Sequence, residues 1–396
     1  MNVLRYAARS TLRNRRRSLL AISVVAGGVA AILLSVGFVL ASFAGLRQSI
    51  IDGETGDLQI RSSSPGHDLT GLQDARISAF LAKDSDVRFA MERIHFEGLL
   101  ATGTRTASFV GRGVDVEREA RLNAGFLPVV SGTGLGDDGG NGITVAADLA
   151  GALRIHPGDL VTVLVTNRDG VLNAMDFSVR GTYRTGIPAL DRRGVTIPLA
   201  AARSLLGLDG ASRIVVVLKH GDRLAAVERD LRRVFPGLTV QPWFAVDPFY
   251  GQVVSIYRVI FSVFGLILIL VVLLSISNAL LMSVMERIRE IGVLRAIGFP
   301  MRSIQTSFAL EGAMVMGAGS AIGIAVAAIL SVAVSVADIP MPPPPGRSLG
   351  YPLQIFFSPT AALLVFLGFV VLGGLIGRVP GRTVRRMSII EQLGHA

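Results

Sequence analysis

The chain has 396 residues, 51% of them hydrophobic and 17% charged, with a formal net charge of +10. That balance is too apolar for an ordinary soluble enzyme and the length too great for a lone membrane span, so a membrane part and a globular part are expected together. Nucleic acid is excluded as a partner, because residues 47–252 hold 23 Lys plus Arg against 24 Asp plus Glu and the positive charge lies outside them, at 16 against 5.

The first segment, 1–17, carries Arg5, Arg9, Arg13, Arg15, Arg16 and Arg17 and reads as a cytoplasmic amphipathic helix. Residues 18–46 follow with no Asp, Glu, Lys or Arg, and a bilayer core of roughly 30 Å needs about 20 helical residues, so this is the first span. Ser42-Phe43-Ala44 resembles a signal-peptide cleavage site, but 29 uncharged residues exceed the roughly 7–15 of a signal peptide's apolar core. The stretch is expected to stay in the membrane.

Residues 47–252 read as a mixed α/β periplasmic domain. Strand-like runs fall at Leu58–Arg61, Ala107–Gly111, Leu160–Val165, Phe177–Gly181, Arg213–Lys219 and Leu238–Gln241. Helical patterns fall at Gly71–Ala82, Val145–Leu153, Ala200–Leu206 and Arg223–Phe235, with Asp222 as the expected N-cap of the last and Pro236-Gly237 as its stop. Ser131–Gly142, rich in Gly and Asp, reads as a surface loop, and residues 120–210 as a more β-rich inserted subdomain. Cysteine is absent, so no disulfide framework supports the domain, and about 200 residues bury enough surface to fold without one.

Catalytic constellations are missing. His67, His95, His156, His220 and His395 show no metal-ligand spacing, and there is neither a G-x-S-x-G elbow nor an H-E-x-x-H pair, so no catalytic, cofactor or metal residue is assigned. The domain reads as a binding or transmitting module.

The second span is assigned to 253–285, a cytoplasmic loop to 286–311, the third span to 312–337, an external Pro-rich loop to 338–352, the fourth span to 353–377 and a cytoplasmic tail to 378–396. Arg287, Arg289, Arg295 and Arg302 lie between spans two and three, Arg378, Arg382, Arg385 and Arg386 follow span four, and only Arg347 lies between three and four. Short cytoplasmic loops retain arginine, so both termini and the 286–311 loop are expected inside. The assigned spans are free of charged residues over 18–46, 259–285, 312–337 and 348–377, which argues against a proton-coupled transporter. Gly319 and Gly323 sit four apart, and Gly373, Gly374 and Gly377 cluster near the end of span four; helix packing through Gly319, Gly323, Gly373 and Gly377 and the general enrichment of glycine in membrane helices both account for them.

Met285–Pro300 is the densest charged motif beside a span. As a helix it places Ile288, Ile291, Leu294 and Ile297 or Ala296 on one side and Glu286, Arg287, Arg289, Glu290 and Arg295 on the rest, with Gly298 and Pro300 as the stop. A helix lying in the headgroups is the plain alternative, yet the two glutamates gain nothing from anionic lipid and suit a protein partner.

The run Glu286–Gly298 resembles the E-R-x-R-E-I-G-V-L-R-A-I-G pattern of ABC transporter permease subunits of the MacB, FtsX and LolC/LolE type. The basic start through Asn14-Arg15-Arg16-Arg17-Ser18, the single span before a large external domain, the three further spans, and Pro380-Gly381-Arg382 with Ser388–Leu393 are similar too, as is Ile143–Ala150 through Gly158-Asp159. The resemblance implies that Glu286, Arg287, Arg289, Glu290, Gly292, Arg295 and Gly298 contact or shape an interface with a separate ABC ATPase, which works as a dimer beside a second permease copy or paralogue. ATP and Mg would bind that partner, since neither Lys83 nor Lys219 follows a glycine and no G-x-x-x-x-G-K-[ST] loop occurs in this sequence, leaving no room for a fused nucleotide-binding domain. The expected role is a non-catalytic permease in the bacterial inner membrane that extracts or exports a lipoprotein, lipid or other amphiphile, with a periplasmic carrier or adaptor and membrane lipids as further partners. Control of a cell-wall hydrolase, as the FtsX branch implies, and MacB-like drug or peptide efflux are the alternatives.

Overall fold

The computed structural model describes residues 15–64, 67–123, 128–136, 141–246, 248–341 and 353–386. Residues 1–14 of the helix expected over 1–17, the loop residues 342–352 with Arg347, and the tail from 387 with His395 lie outside the described residues. The chain divides into a unit of 1–44, 253–340 and 352–396 and a unit of 45–252 with 341–351.

Helix α1 (Arg15–Ile50) is followed by a π-helical turn, Ile51–Thr55, that Gly56 closes at φ +60. The second unit then runs β1 (Leu58–Ser62), α2 (Gly71–Leu81), β2 (Val87–Ala101), β3 (Thr106–Val114), α3 (Val116–Asn123) and β4 (Val129–Gly132). Next come β5 (Gly142–Ala146), α4 (Ala147–Leu153), β6 (Leu160–Thr166), β7 (Leu172–Tyr183), α5 (Pro188–Asp191) and β8 (Gly194–Pro198). It finishes with α6 (Leu199–Leu206), β9 (Arg213–Leu218), α7 (Leu224–Val234), β10 (Leu238–Pro242) and α8 (Trp243–Val246).

One ten-stranded sheet holds these elements, in the order β10-β1-β9-β2-β3-β8-β5-β7-β4 with β6 joining β2 and β7. The 15-residue β2 is the hinge of the topology: Val87–Arg93 pairs with β9, Arg93–Ala101 with β3, and Leu99–Ala101 also with β6. Hydrogen bonding therefore returns to its start through β2, β3, β8, β5, β7 and β6. Residues 120–210, expected as an inserted subdomain, supply β4 to β8, of which β6 pairs with β2 and β8 with β3. Two cores follow the sheet: Ile94, Phe109, Ile143, Val163, Phe177 and Val195 on one stretch, and Leu58, Ile60, Ile77, Val216, Val227 and Leu231 on the other.

Local signals explain the helix ends. Thr70 and Gln73 form a reciprocal capping box at α2, Gln73 N donating to Thr70 Oγ1 at 3.3 Å and Thr70 N to Gln73 Oε1 at 3.0 Å. Asp222 does not cap α7: it lies in a 3₁₀ turn, Gly221–Arg223, and the N-cap position falls to Arg223, whose Nε donates instead to Asp86 Oδ2 at 2.9 Å. Ser131 and Gly142, expected in a surface loop, end up in β4 and β5, because each finds a backbone partner on β7.

The membrane unit continues with α9 (Pro248–Glu286), α10 (Ile288–Ala296), α11 (Met301–Val336) and α12 (Pro359–Arg386). Among the described residues, four helices are long and apolar enough to cross a membrane, over Ser18–Gly53, Tyr250–Glu286, Met301–Val336 and Pro359–Val379, their most apolar 18-residue stretches having mean hydropathy 2.5, 3.2, 2.2 and 2.4. At 1.5 Å per residue, 36 residues rise about 54 Å, so the first three helices outrun a core of roughly 30 Å. The third begins at Met301 rather than 312, after extended Pro300 (φ −69, ψ 137), and its first turns carry Arg302 and Glu311.

Glycines set the closest helix crossings in this unit. A Cβ on Gly319 would lie 2.6 Å from Val25 Cβ, and one on Gly323 2.6 Å from Ala26 O, both on α1. On α12, a Cβ on Gly373 would lie 2.5 Å from Gly312 O and one on Gly377 2.3 Å from Phe308 O, both on α11. Without a hydrophobic effect between lipid-bathed helices, such close backbone approach supplies dispersion contact. Val25, Val29, Ile276, Leu280, Met316 and Phe369 fill the space between.

Candidate functional site

The segment with the densest charge, Glu286–Pro300, forms a break, a short helix and a turn. Helix α9 ends at Glu286, and Arg287 departs from helical geometry (φ −113, ψ 15). Its carbonyl still accepts Ile291 N at 3.0 Å, so α10 starts at once on a new axis. Glu290 in the first turn and Arg295 in the last both complement the helix dipole.

Gly298 ends the helix by a Schellman motif. Its φ is +91, a region that L side chains rarely adopt; Gly298 N donates to Arg295 O at 3.0 Å and Phe299 N to Leu294 O at 3.0 Å. Unwinding begins at Ile297 (φ −83, ψ 0), and this overturns part of the expected apolar face. Ile288, Ile291 and Gly292 are buried, Leu294 is half-buried, and Ala296 and Ile297 are exposed, Ile297 at 72%.

The buried side is a small core of its own. Val284, Ile291, Ile304 and Phe308 pack together with Met301, which seats α10 on the end of α9 and the start of α11. Arg287 adds a polar tie to the same place, its Nη1 4.0 Å from Glu311 Oε2, with 13% and 10% of the two side chains exposed. Glu311 went unnoticed in the sequence because it borders the uncharged run that starts at Gly312. Its one visible signal was that it is a lone carboxylate at the edge of a span, where any charge asks for a partner.

The other side presents a mixed surface. Glu286, Arg289 and Glu290 are exposed, and Arg295 is half-buried. Val293 is 44% exposed and Phe299 37%. Glu290 and Val293, three residues apart, face the same side of α10, and exposed Glu286 at the end of α9 and Ile297 at the C-cap extend this stripe at its two ends. Carboxylates interleaved with aliphatic side chains are chemistry for a protein surface carrying both a basic group and an apolar pocket.

Elsewhere the described residues offer little for catalysis. No three His, Cys, Asp or Glu side chains among them converge to hold a metal ion. His95 is half-buried beside three arginines; desolvation first, then the charges of Arg213, Arg93 and Arg112, hold its pKa well below the ordinary value and keep it neutral. His156 sits exposed in a turn, its backbone N donating to Asp159 Oδ2 at 2.7 Å.

Comparisons with known proteins add a family context. Residues 262–389 match the family described as FtsX-like permease C-terminal, and residues 18–234 the family described as MacB-like periplasmic core domain. A macrolide export ATP-binding/permease protein MacB of Nitrobacter winogradskyi is 28% identical over 234 residues, 57% of this chain and 33% of that protein. Its counterpart in Escherichia coli K12 is 31% identical over 120 residues, 30% of this chain and 17% of that protein. The matches thus span a third or less of these relatives' length. Among solved structures, the periplasmic region of MacB from Actinobacillus actinomycetemcomitans aligns with TM-score 0.37 and 12% identity, covering 50% of this chain and 93% of that one. The extracellular domain of the ABC-type transporter YknZ from Gram-positive bacteria aligns with TM-score 0.35 and 12% identity, covering 46% and 98%.

Proposed function

The chain belongs to the ABC permeases of the MacB/FtsX type, and from that premise we propose that it couples ATP hydrolysis by a separate ATPase to movement of its periplasmic domain. It is a multi-pass inner-membrane protein with an α/β domain between its first and second membrane helices. The observation that carries the proposal is α10: its apolar side is fixed on α9 and α11, while Glu286, Glu290, Val293 and Ile297 stand outward. A force applied to that stripe passes into two membrane helices, because the seat is packed rather than flexible.

The ATPase is proposed to dock as a dimer, with a second copy or paralogue of this permease completing the assembly and ATP and Mg held by the partner. The arginine distribution supports a cytoplasmic position for α10 and both termini. Export or extraction of an amphiphile, whether lipid, lipoprotein or hydrophobic drug, is the cargo reading we favour. Its narrower form, efflux of an apolar drug or peptide, draws support from the macrolide exporters among the relatives. The match of residues 262–389 to the FtsX-like family supports a second reading, in which the domain transmits a signal to a cell-wall hydrolase and carries no cargo.

Purification of the full chain from native membranes tests the proposal. An ABC ATPase in stable proportion is expected with it, and its absence under mild extraction would contradict the coupling reading. A periplasmic lipid-binding carrier in the same preparation supports transport; a peptidoglycan hydrolase supports signalling.

A further inference from the structure

The sheet of the periplasmic unit has a second face that the two large cores do not use. Val195 and Ile197 of β8 point into a core, so Thr196 between them faces the other way, and Thr144 of β5 is its register partner. Thr182 of β7 also lines the space beside this pair. All three threonines are 7% exposed. Tyr183 joins them, its hydroxyl accepting from Thr196 Oγ1 at 3.4 Å. Room for that phenol comes from Gly194, where a Cβ would lie 2.7 Å from the Tyr183 hydroxyl.

Helix α3, the edge strand β4 and residues 133–135 border, together with this row, a cleft of about 250 Å³. Val114, Val116, Ala120, Val129 and Leu135 give it apolar walls, and Thr144, Thr182, Thr196 and Tyr183 bring hydroxyls to its lining. Among the described lining residues Glu119 alone is charged, and its carboxylate is already engaged. Fully buried Arg93 donates from Nε to Glu119 Oε2 at 3.0 Å and from Nη2 to Glu119 Oε1 at 2.9 Å. This bidentate pair also fixes α3 to the sheet, so the wall is rigid.

We propose that this cleft is a binding site for a small neutral amphiphile, a molecule with a short aliphatic body and one hydroxyl, ether or carbonyl end. The walls take the aliphatic part, and threonine and tyrosine hydroxyls, which both donate and accept, take the polar end. An anion would meet the Glu119 carboxylate in a poorly solvated place. A cation would compete for that carboxylate and strand buried Arg93, which is costly. The cleft exceeds the roughly 150 Å³ cavity that holds benzene, and it is far too small for a helix or strand of a partner protein. The site is independent of whether the permease moves cargo or transmits a signal.

The test uses the full chain in lipid nanodiscs with a diazirine analogue of 1-octanol, irradiated and mapped by peptide mass spectrometry. Labelling is expected on peptides carrying Val116–Ala120 and Val129–Leu135, and excess 1-octanol should displace it, whereas labelling of the lipid-facing spans should resist displacement. Ala120→Phe, which fills the cleft, should remove the displaceable label. Thr144→Val should weaken displacement by about fivefold, and Thr196→Ser, which keeps the hydroxyl, should leave it intact. The span label in each sample reports that the protein is inserted. Label confined to the spans, or domain label that excess 1-octanol does not reduce in the wild type, would overturn the proposal even if a variant failed to fold.

Discussion

Arg287 Nη1 and Glu311 Oε2 face each other across 4.0 Å at the seat of α10, each side chain nearly covered. Arg287 occupies the break between α9 and α10, and Glu311 lies in α11, so one contact joins three helices. Glu311→Gln keeps the shape but removes the charge, leaving a covered guanidinium less well satisfied. A loss of about 1–3 kcal/mol is expected, seen as a lower melting temperature of the full chain in nanodiscs. An unchanged melting temperature would mean that the apolar seat alone holds the helix.

Gly298 is needed for its backbone rather than for contacts, since a Cβ there would meet nothing within 4 Å. At φ +91, Gly298→Ala should cost about 1 kcal/mol, and Gly298→Asn, which tolerates the left-handed region better, should cost less. Hydrogen exchange at the Gly298 and Phe299 amides reads this directly. Both amides donate in the terminating turn and should exchange faster in the Ala variant.

Close helix crossings predict a steric pattern. Gly373→Ala and Gly319→Ala place a methyl group within 2.6 Å of α11 or α1, and overpacking of this kind costs about 1–3 kcal/mol. Gly265→Ala on α9 is the control, because its Cβ would meet nothing within 4 Å. Thermal unfolding should separate the first two from the third; equal behaviour of all three would remove glycine packing from the account.

Asp74 gives the periplasmic unit a pH dependence. It is 2% exposed, and Arg203 Nη2 lies 4.0 Å from its carboxylate while also pairing with Glu92. Burial first, then the Glu92 charge, raise its pKa from 3.8 to about 7, with Arg203 drawing it partly back. Between those values the folded state keeps a proton that the unfolded chain has lost, so this group's contribution to stability falls as pH rises through that window. Asp74→Asn should flatten that slope and raise the melting temperature above pH 7 by about 2–4 °C per kcal/mol removed. Melting curves at about pH 5 and pH 8 check it, and an unaltered slope would contradict it.

Charge-free runs and arginine placement made the four membrane helices readable, since both follow from the cost of placing charge in lipid. Strands such as β6 and β9 were equally plain, being short runs rich in Val and Leu with Thr in the first and Ile in the second. The long β2 was not, because Arg88, Glu92, Arg93 and Glu97 interrupt its alternation, and the burial of Arg93 depends on Glu119, 26 residues away. Pairing between distant residues leaves no local period to read. The same holds at α10: its charged pattern is explicit in the sequence, whereas the outward turn of Ile297 and the partner for Arg287 emerge only once Gly298 and the early start of α11 are in place.

The most direct measurement of the central claim is the ATP hydrolysis rate of the copurifying ATPase, with and without this permease in lipid, after Glu286→Lys and Glu290→Lys are introduced together. Both side chains are exposed, and the melting temperature of the double variant, measured beside the rate, separates a lost docking contact from a lost fold. The permease's effect on hydrolysis is expected to fall by about tenfold or more, as reversal of interfacial charges does. A double variant that modulates the ATPase as the wild type does would contradict the assignment of α10 as the coupling element.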